Sequence, residues 1–190
     1  MDRREVLKRV GILMGGTLSA PAIASILSGC QPTQKLDWTP VFFTEEQATL
    51  LAELTELIIP TTDTPGAKAA HVPEFIDLAL QKCYSQEEQQ AFVEGLNTLN
   101  GECQEQFGDS FLKCTLEQQK EALTQNAEKA QSTSEDPSAK KAFFFQLKEL
   151  TLLGYFTSEP GATQALEYLA IPGEFNPCFT IEEGQKAWAT

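Results

Sequence analysis

Apolar residues recur at three- and four-residue intervals along most of this chain, and the pattern divides into segments with legible starts. Thr44 with Gln47 three residues on forms a capping box; Leu50, Leu51, Leu54, Leu57 and Ile58 then line one helical face until Pro60 stops it. Pro73 opens a second helix from a first-turn position, ahead of Phe75, Ile76, Leu78, Ala79 and Leu80. Ser85 with Glu88 starts a third, carrying Ala91, Phe92, Gly95, Leu96 and Leu99. Thr115 with Gln118 starts a fourth, polar on most faces, that runs to about Ala130. Turn residues from Ser132 to Pro137 read as a loop, with Asp136-Pro137 capping the most apolar helix: Phe143, Phe144, Phe145, Leu147, Leu150, Leu152 and Leu153, ended by Gly154. A short helix from about Pro160 to Tyr168 follows. No run alternates with period two, so the pattern predicts no sheet, no repeat and no second domain. The expected fold is all-α, one compact helical domain of about six helices over residues 42–190.

The first 41 residues follow a different logic. Asp2-Arg3-Arg4-Glu5-Val6-Leu7-Lys8 resembles a twin-arginine export signal, with Val6 where that signal most often has Phe. The uncharged run from Val10 to Leu27 is diluted by Gly15, Gly16, Thr17, Ser19, Pro21 and Ser25, which leaves it too weak for a comfortable spanning helix. It ends in Leu27-Ser28-Gly29-Cys30, which resembles a bacterial lipobox whose cysteine sulfur accepts a diacylglycerol, cleavage making Cys30 the new N-terminus. Residues 1–29 therefore read as a signal peptide and 30–41 as a lipidated tether, since Gln31 to Pro40 lacks apolar periodicity. This places the protein outside the inner membrane, on the periplasmic side, anchored by lipid in a membrane the sequence leaves open. The twin-arginine translocase carries proteins folded in the cytoplasm, often because a cofactor must be inserted there first.

Removing the leader sharpens the charge. The full chain has 14 basic and 27 acidic residues; taking away Arg3, Arg4, Lys8 and Arg9 with Asp2 and Glu5 leaves 10 and 25, a net charge of −15. Such a surface repels phosphate backbones and anionic headgroups, which argues against nucleic acid as a partner and against electrostatic membrane adsorption. Attachment to a membrane would need a covalent anchor.

Two segments carry a family likeness. Glu56-Leu57-Ile58-Ile59-Pro60-Thr61-Thr62-Asp63-Thr64-Pro65-Gly66-Ala67, continuing to Val72-Pro73-Glu74-Phe75-Ile76-Asp77, resembles the gluconate 2-dehydrogenase subunit 3 family. Leu153-Gly154-Tyr155-Phe156-Thr157-Ser158-Glu159-Pro160-Gly161-Ala162, then Ala165-Leu166-Glu167-Tyr168 and Ile171-Pro172-Gly173, is similar to the family's C-terminal block. The likeness spans roughly Phe42 to Phe179. It implies a small, non-catalytic subunit beside a larger FAD-dependent flavoprotein of the glucose-methanol-choline type, often with a cytochrome c subunit as electron acceptor. In such complexes the small subunit supplies the export signal and the flavoprotein, which has none, is carried along. The likeness fixes neither the sugar nor the stoichiometry.

The residues themselves offer little for catalysis. Gly15-Gly16 is no dinucleotide-binding loop, so a flavin is expected on the partner and no cofactor on this chain. The cysteines lack the spacing for covalent haem, zinc or an iron-sulfur cluster. His71 is the one histidine, with Asp63 and Glu74 near it in sequence; it reads as a loop or cap residue, while a lipoprotein enzyme built around it stands as a rival. A stand-alone envelope lipoprotein is the other rival.

Asp63-Thr64-Pro65-Gly66 has turn chemistry, either a rigid connection between helices or a docking loop for the large subunit. With Tyr155, Phe156 and the tail around Phe179, which fit no helix-core period, Asp63, Pro65 and Gly66 make the expected partner-binding surface. Phe143 to Phe145 sweep about 200° of a helix, so either that helix is surrounded or one ring reaches a partner. Phe179 and Trp188 read as parts of a tail that orders against a partner. With Cys30 lipidated, Cys83, Cys103, Cys114 and Cys178 remain as disulfide candidates, with three possible pairings. Cys103 and Cys114 bracket a short Gly-containing connection and make the first local pair to consider, while Cys178 is free to bond Cys83 or a partner's cysteine. In a cargo folded before export such bonds form late and are no prerequisite of the fold.

Overall fold

The computed structural model describes residues 36–133, 142–171, 173, 176 and 178–189. Among the described residues there are five α-helices: α1 Glu45–Ile58, α2 Val72–Cys83, α3 Gln86–Phe107, α4 Leu116–Thr133 and α5 Phe143–Thr157. A 3-10 turn, Phe111–Lys113, joins α3 to α4, and a π-helical turn, Gly161–Ala165, follows α5. None of the described helices is long and apolar enough to cross a membrane.

The starts follow from local chemistry. Thr44 and Gln47 close the capping box of α1, and Ser85 and Glu88 that of α3, where the Ser85 backbone N–H and hydroxyl hold the Glu88 carboxyl below its usual range. The Thr115 backbone N–H and hydroxyl donate to Gln118 Oε1 at the head of α4 in the same way. At the end of α3 Gly108 adopts φ +80°, the left-handed geometry that lets its N–H reach Gln104 O.

α5 is the hub, packing against each of the other four. This central position explains the Phe143–Phe145 run. Phe143 meets Phe92 edge to face at 5.2 Å, Phe144 packs on the core, and Phe145 lies half-buried with its ring 5.9 Å from Phe144. Phe92, Leu96, Leu99 and Cys103 of α3 and Leu51 and Leu54 of α1 are wholly enclosed. Full burial of each such Leu or Phe contributes about 1.5–3 kcal/mol relative to exposure.

Three expectations need correction. Gly154 does not end the last long helix, which continues to Thr157; a Cβ at Gly154 would stand 2.6 Å from Phe75 Cδ1, so the glycine is there to let α2 and α5 approach. The segment after Pro160 is one π-helical turn and then a two-residue strand β1, Glu167–Tyr168, not a helix to Tyr168. β1 pairs in parallel with β2, Trp188–Ala189, so a minimal sheet exists where none was expected. Its two rungs, Glu167 N–H to Ala187 O and Leu169 N–H to Ala189 O, are too short to show as alternation in sequence. The expected Asp136-Pro137 cap lies outside the described residues; the observed α5 starts at Phe143 with Ala142 as its N-cap.

One buried carboxylate ties the start of the domain to α2. Asp77 is 1 % exposed, and its oxygens accept the backbone N–H groups of Val41 at 2.7 Å, Phe42 at 3.1 Å and Phe43 at 2.9 Å, while Gln81 Nε2 donates to Val41 O at 2.9 Å. The segment preceding α1 is strapped down in consequence. Hydrogen bonds to a charged group are worth about 1.5–3 kcal/mol each, and the donors left behind would be hard to satisfy. Asp77→Ala is therefore expected to lose about 3 kcal/mol or more of stability, and Asp77→Asn, which keeps one acceptor oxygen, less than half of that. Urea denaturation followed by far-UV circular dichroism measures both; an unchanged midpoint for Asp77→Ala would contradict the strap.

Candidate functional site: the loop between α1 and α2

The connection from Ile59 to His71 is built around Glu56 in the last turn of α1. Glu56 Oε1 accepts the Thr61 backbone N–H at 2.9 Å and its hydroxyl at 2.7 Å, and Oε2 accepts the Lys68 N–H at 2.9 Å. Thr61 Oγ1 in turn accepts the Gly66 N–H at 3.1 Å, and the Ala67 N–H returns to Ile59 O at 2.9 Å. The Thr62 N–H closes the tip onto Thr64 O at 3.0 Å. From α5, the Tyr155 hydroxyl donates to Pro65 O at 2.7 Å. A loop held at this many points presents its tip as a fixed surface.

Glycine is required at 66 by crowding: a Cβ there would lie 2.3 Å from Glu56 Oε1 and 2.5 Å from Thr61 N. His71 closes the loop in the left-handed region, φ 55°, the only described non-glycine residue with positive φ. Histidine is among the residue types that tolerate it. Its backbone does the positioning, the N–H donating to Lys68 O and the carbonyl accepting from Phe75 N–H. Its exposed ring stands 3.5 Å from Glu74 Oε2.

The expected partner-binding residues divide on this geometry. Asp63 is exposed at the tip and Pro65 half-buried. Phe156 is 40 % exposed and stands edge to face with Tyr155 at 5.3 Å, which puts it beside the loop's support. Tyr155 and Gly66 do not line the surface. Tyr155 is 2 % exposed and Gly66 is buried, so both shape the loop from inside. Phe179, 50 % exposed, belongs to a second patch, with its ring 4.9 Å from Trp188 and with Tyr168, Leu169, Ile171 and Ile181 also exposed along the tail. Lys186 pins that tail by donating to Gln164 O.

Sequence reasoning missed Glu56 and Asp77 as organisers. The signal for Glu56 was an acidic residue in a helix's last turn, where the macrodipole disfavours it; a carboxylate there needs donors of its own. Arg3, Arg4 and Cys30 lie outside the described residues. Cys83 and Cys178 are exposed free thiols, and Cys103 and Cys114 are buried free thiols. No group of three His, Cys, Asp or Glu placed to hold a metal ion occurs among the described residues.

A family model described as gluconate 2-dehydrogenase subunit 3 matches residues 45–173. Neither a curated protein nor a solved structure matches the chain.

Glu56→Ala and Gly66→Val are expected to loosen this loop while leaving the helices in place, one by removing three acceptor contacts, the other by forcing a side chain into the carboxylate's space. Hydrogen exchange at the Thr61 and Lys68 amides should accelerate by about 10-fold or more, equivalent to at least about 1.4 kcal/mol of lost local stability, with far-UV circular dichroism nearly unchanged. Unaltered protection at both amides would show that Glu56 does not hold the loop.

Proposed function

The chain belongs to the gluconate 2-dehydrogenase subunit 3 family, and from that membership we propose that it is the non-catalytic small subunit of an exported dehydrogenase complex, binding the large subunit, escorting it through the twin-arginine translocase and anchoring it by a lipid on Cys30. The partner in this reading is an FAD-dependent dehydrogenase of the glucose-methanol-choline type, with a cytochrome c subunit as a further member.

The observation that carries the reading is the construction of the loop. The family likeness of the sequence is concentrated in Glu56–Ala67 and Leu153–Ala162, and these are the segments that join: Glu56 fixes the turn from one side and Tyr155 from the other, leaving Asp63 and Phe156 outward. Rigidity of this kind lowers the entropic cost of docking, because the loop has little freedom left to lose. An interface stable enough to survive transport as one body buries at least about 1,200 Å² with an apolar centre, and Phe156 with the Phe179–Trp188 patch supplies exposed aromatic area on an otherwise acidic domain.

The leader fits the same scheme. A flavin must be loaded before export, which suits a route for folded cargo. From Cys30 to Val41, which Asp77 holds, eleven residues reach at most about 40 Å, so a lipid on Cys30 would keep the complex close to the membrane surface.

Deleting this chain is expected to strand the dehydrogenase in the cytoplasm, active but misplaced, and Cys30→Ala to release or mis-process the subunit. Cell fractionation with a dye-linked dehydrogenase assay on each side of the inner membrane tests both; normal export of an active partner in the deletion strain would overturn the escort role. Gly66→Val should weaken co-purification of the large subunit with helicity intact.

A further inference from the structure

β1 and β2 pair with Glu167 opposite Trp188 and Tyr168 opposite Ala189. Side chains alternate across a strand and cross-strand partners share a face, so Trp188 and Glu167 lie on one side of this ribbon and Tyr168 and Ala189 on the other. Phe179 joins the Trp188 side, its ring 4.9 Å away. Neither side is closed off: Trp188 is 46 % exposed and Tyr168 54 %. An antiparallel or edge ribbon that rests on its own domain turns one apolar face inward and a polar face to water. This one turns an aromatic ring to water on each face. With about half of each ring exposed, Tyr168, Phe179 and Trp188 together present roughly 300 Å², the scale of the largest apolar patch on a typical monomer.

We propose that the β1–β2 ribbon is inserted into an apolar cleft of the large subunit, a cleft whose lip carries Lys or Arg side chains. The two-sided exposure calls for a cleft. A flat partner surface covers one face and leaves the other ring in water, whereas two facing walls cover both. The area adds a second constraint, because roughly 300 Å² falls short of the about 800 Å² per side of a standard interface. The ribbon is therefore one contact within a larger interface and not the whole of it. This inference rests on the reading that the chain binds a large subunit, and it names how one part of that subunit is engaged and the chemistry it presents.

The charge of the lip follows from the ribbon's own surroundings. From Glu167 to Thr190 the sequence holds Glu167, Glu174, Glu182 and Glu183 against a single cation, Lys186. Lys186 is turned inward, donating to Gln164 O, while Glu167, Glu182 and Glu183 are exposed. A second copy of this chain would set these carboxylates against their own counterparts, and like charges brought together at an interface are costly. A basic lip neutralises them and draws the ribbon in from a distance, so its contribution is sensitive to salt, unlike that of the rings.

The test uses the full chain, restored to cells from which it has been deleted and recovered with an antibody against the helical domain. Flavin per chain in the recovered complex is the readout, and far-UV circular dichroism of each variant checks that the helices are intact. Tyr168→Ala and Trp188→Ala, both at exposed positions, are each expected to lower recovered flavin by about 10-fold or more. A loss with Trp188→Ala alone, or with Tyr168→Ala alone, would mean cover from one side and overturn the cleft; full recovery with both would overturn the ribbon as a contact. Replacing Glu167, Glu182 and Glu183 by Gln should lower recovery and flatten its decline as the wash is raised from about 0.05 to about 0.5 M NaCl. Wild-type recovery that rises with salt would overturn the basic lip. A wild-type chain that sediments alone as a dimer, dissolved by Trp188→Ala, would make a second copy the occupant and overturn the proposal. Gly66→Val separates this inference from the escort reading: flavin lowered by Gly66→Val but by neither ribbon variant removes the ribbon and leaves that reading standing, whereas no flavin with the wild type removes both.

Discussion

A carboxylate at the wrong end of a helix organises the part of this protein that bears the family likeness. Glu56 lies in the last turn of α1, which carries no basic residue and where the partial negative charge of the helix end costs it about 0.3–1 kcal/mol. What offsets it is the chain that follows. Three donors, from Thr61 and Lys68, turn back onto its two oxygens, and charge-assisted bonds of this kind outweigh the unfavourable placement. The direction in which the chain leaves α1 is set by that closure, and with it the approach of α2. Asp77 on α2 then repeats the device, gathering the backbone ahead of α1. The two ends of α1 are thus both controlled by carboxylates lying outside its hydrophobic face.

That arrangement explains why so much of the fold was legible and why particular parts were not. Capping boxes are local, three residues apart, and Thr44/Gln47, Ser85/Glu88 and Thr115/Gln118 could be read without knowing what the helices pack against. Gly154 was misread as a stop because the same residue type serves two purposes. A glycine at a helix end answers a backbone need, whereas Gly154 answers the Phe75 ring on another helix, and nothing near it in sequence reveals that ring. Asp77 had no legible role for a similar reason, since its donors lie 34 to 36 residues earlier.

The candidate surface was legible as segments but not as sides of segments. Tyr155 and Phe156 are consecutive and both fit the core period poorly, yet one hundred degrees of helix rotation sends Tyr155 inward to Pro65 O and leaves Phe156 at the surface. Poor fit to a period marks a residue as doing something other than filling the core; it does not say whether that is contact with a partner or support of the loop that makes contact. Gly66 illustrates the second. Its part in docking, on the proposed reading, would be exercised wholly through Glu56 and Thr61, which occupy the space a side chain would need.

The charge of the domain constrains how it can be used. Residues 30–190, with a net charge of −15, are driven away from an anionic bilayer and from most acidic proteins, within a Debye length of about 8 Å at physiological salt. Affinity must then come from short-range contact that survives screening, and the exposed aromatic positions Phe156, Phe179 and Trp188 are suited to that because apolar burial is insensitive to ionic strength. The tail patch has an added property. Its aromatic pair rests on two backbone rungs between β1 and β2 and on the Lys186 contact, a much smaller set of restraints than the loop enjoys. On the proposed reading, a rigid loop and a lightly held tail would divide the labour of binding: the loop would set the register of the partner at little entropic cost, and the tail would add apolar area while adjusting to the shape it meets.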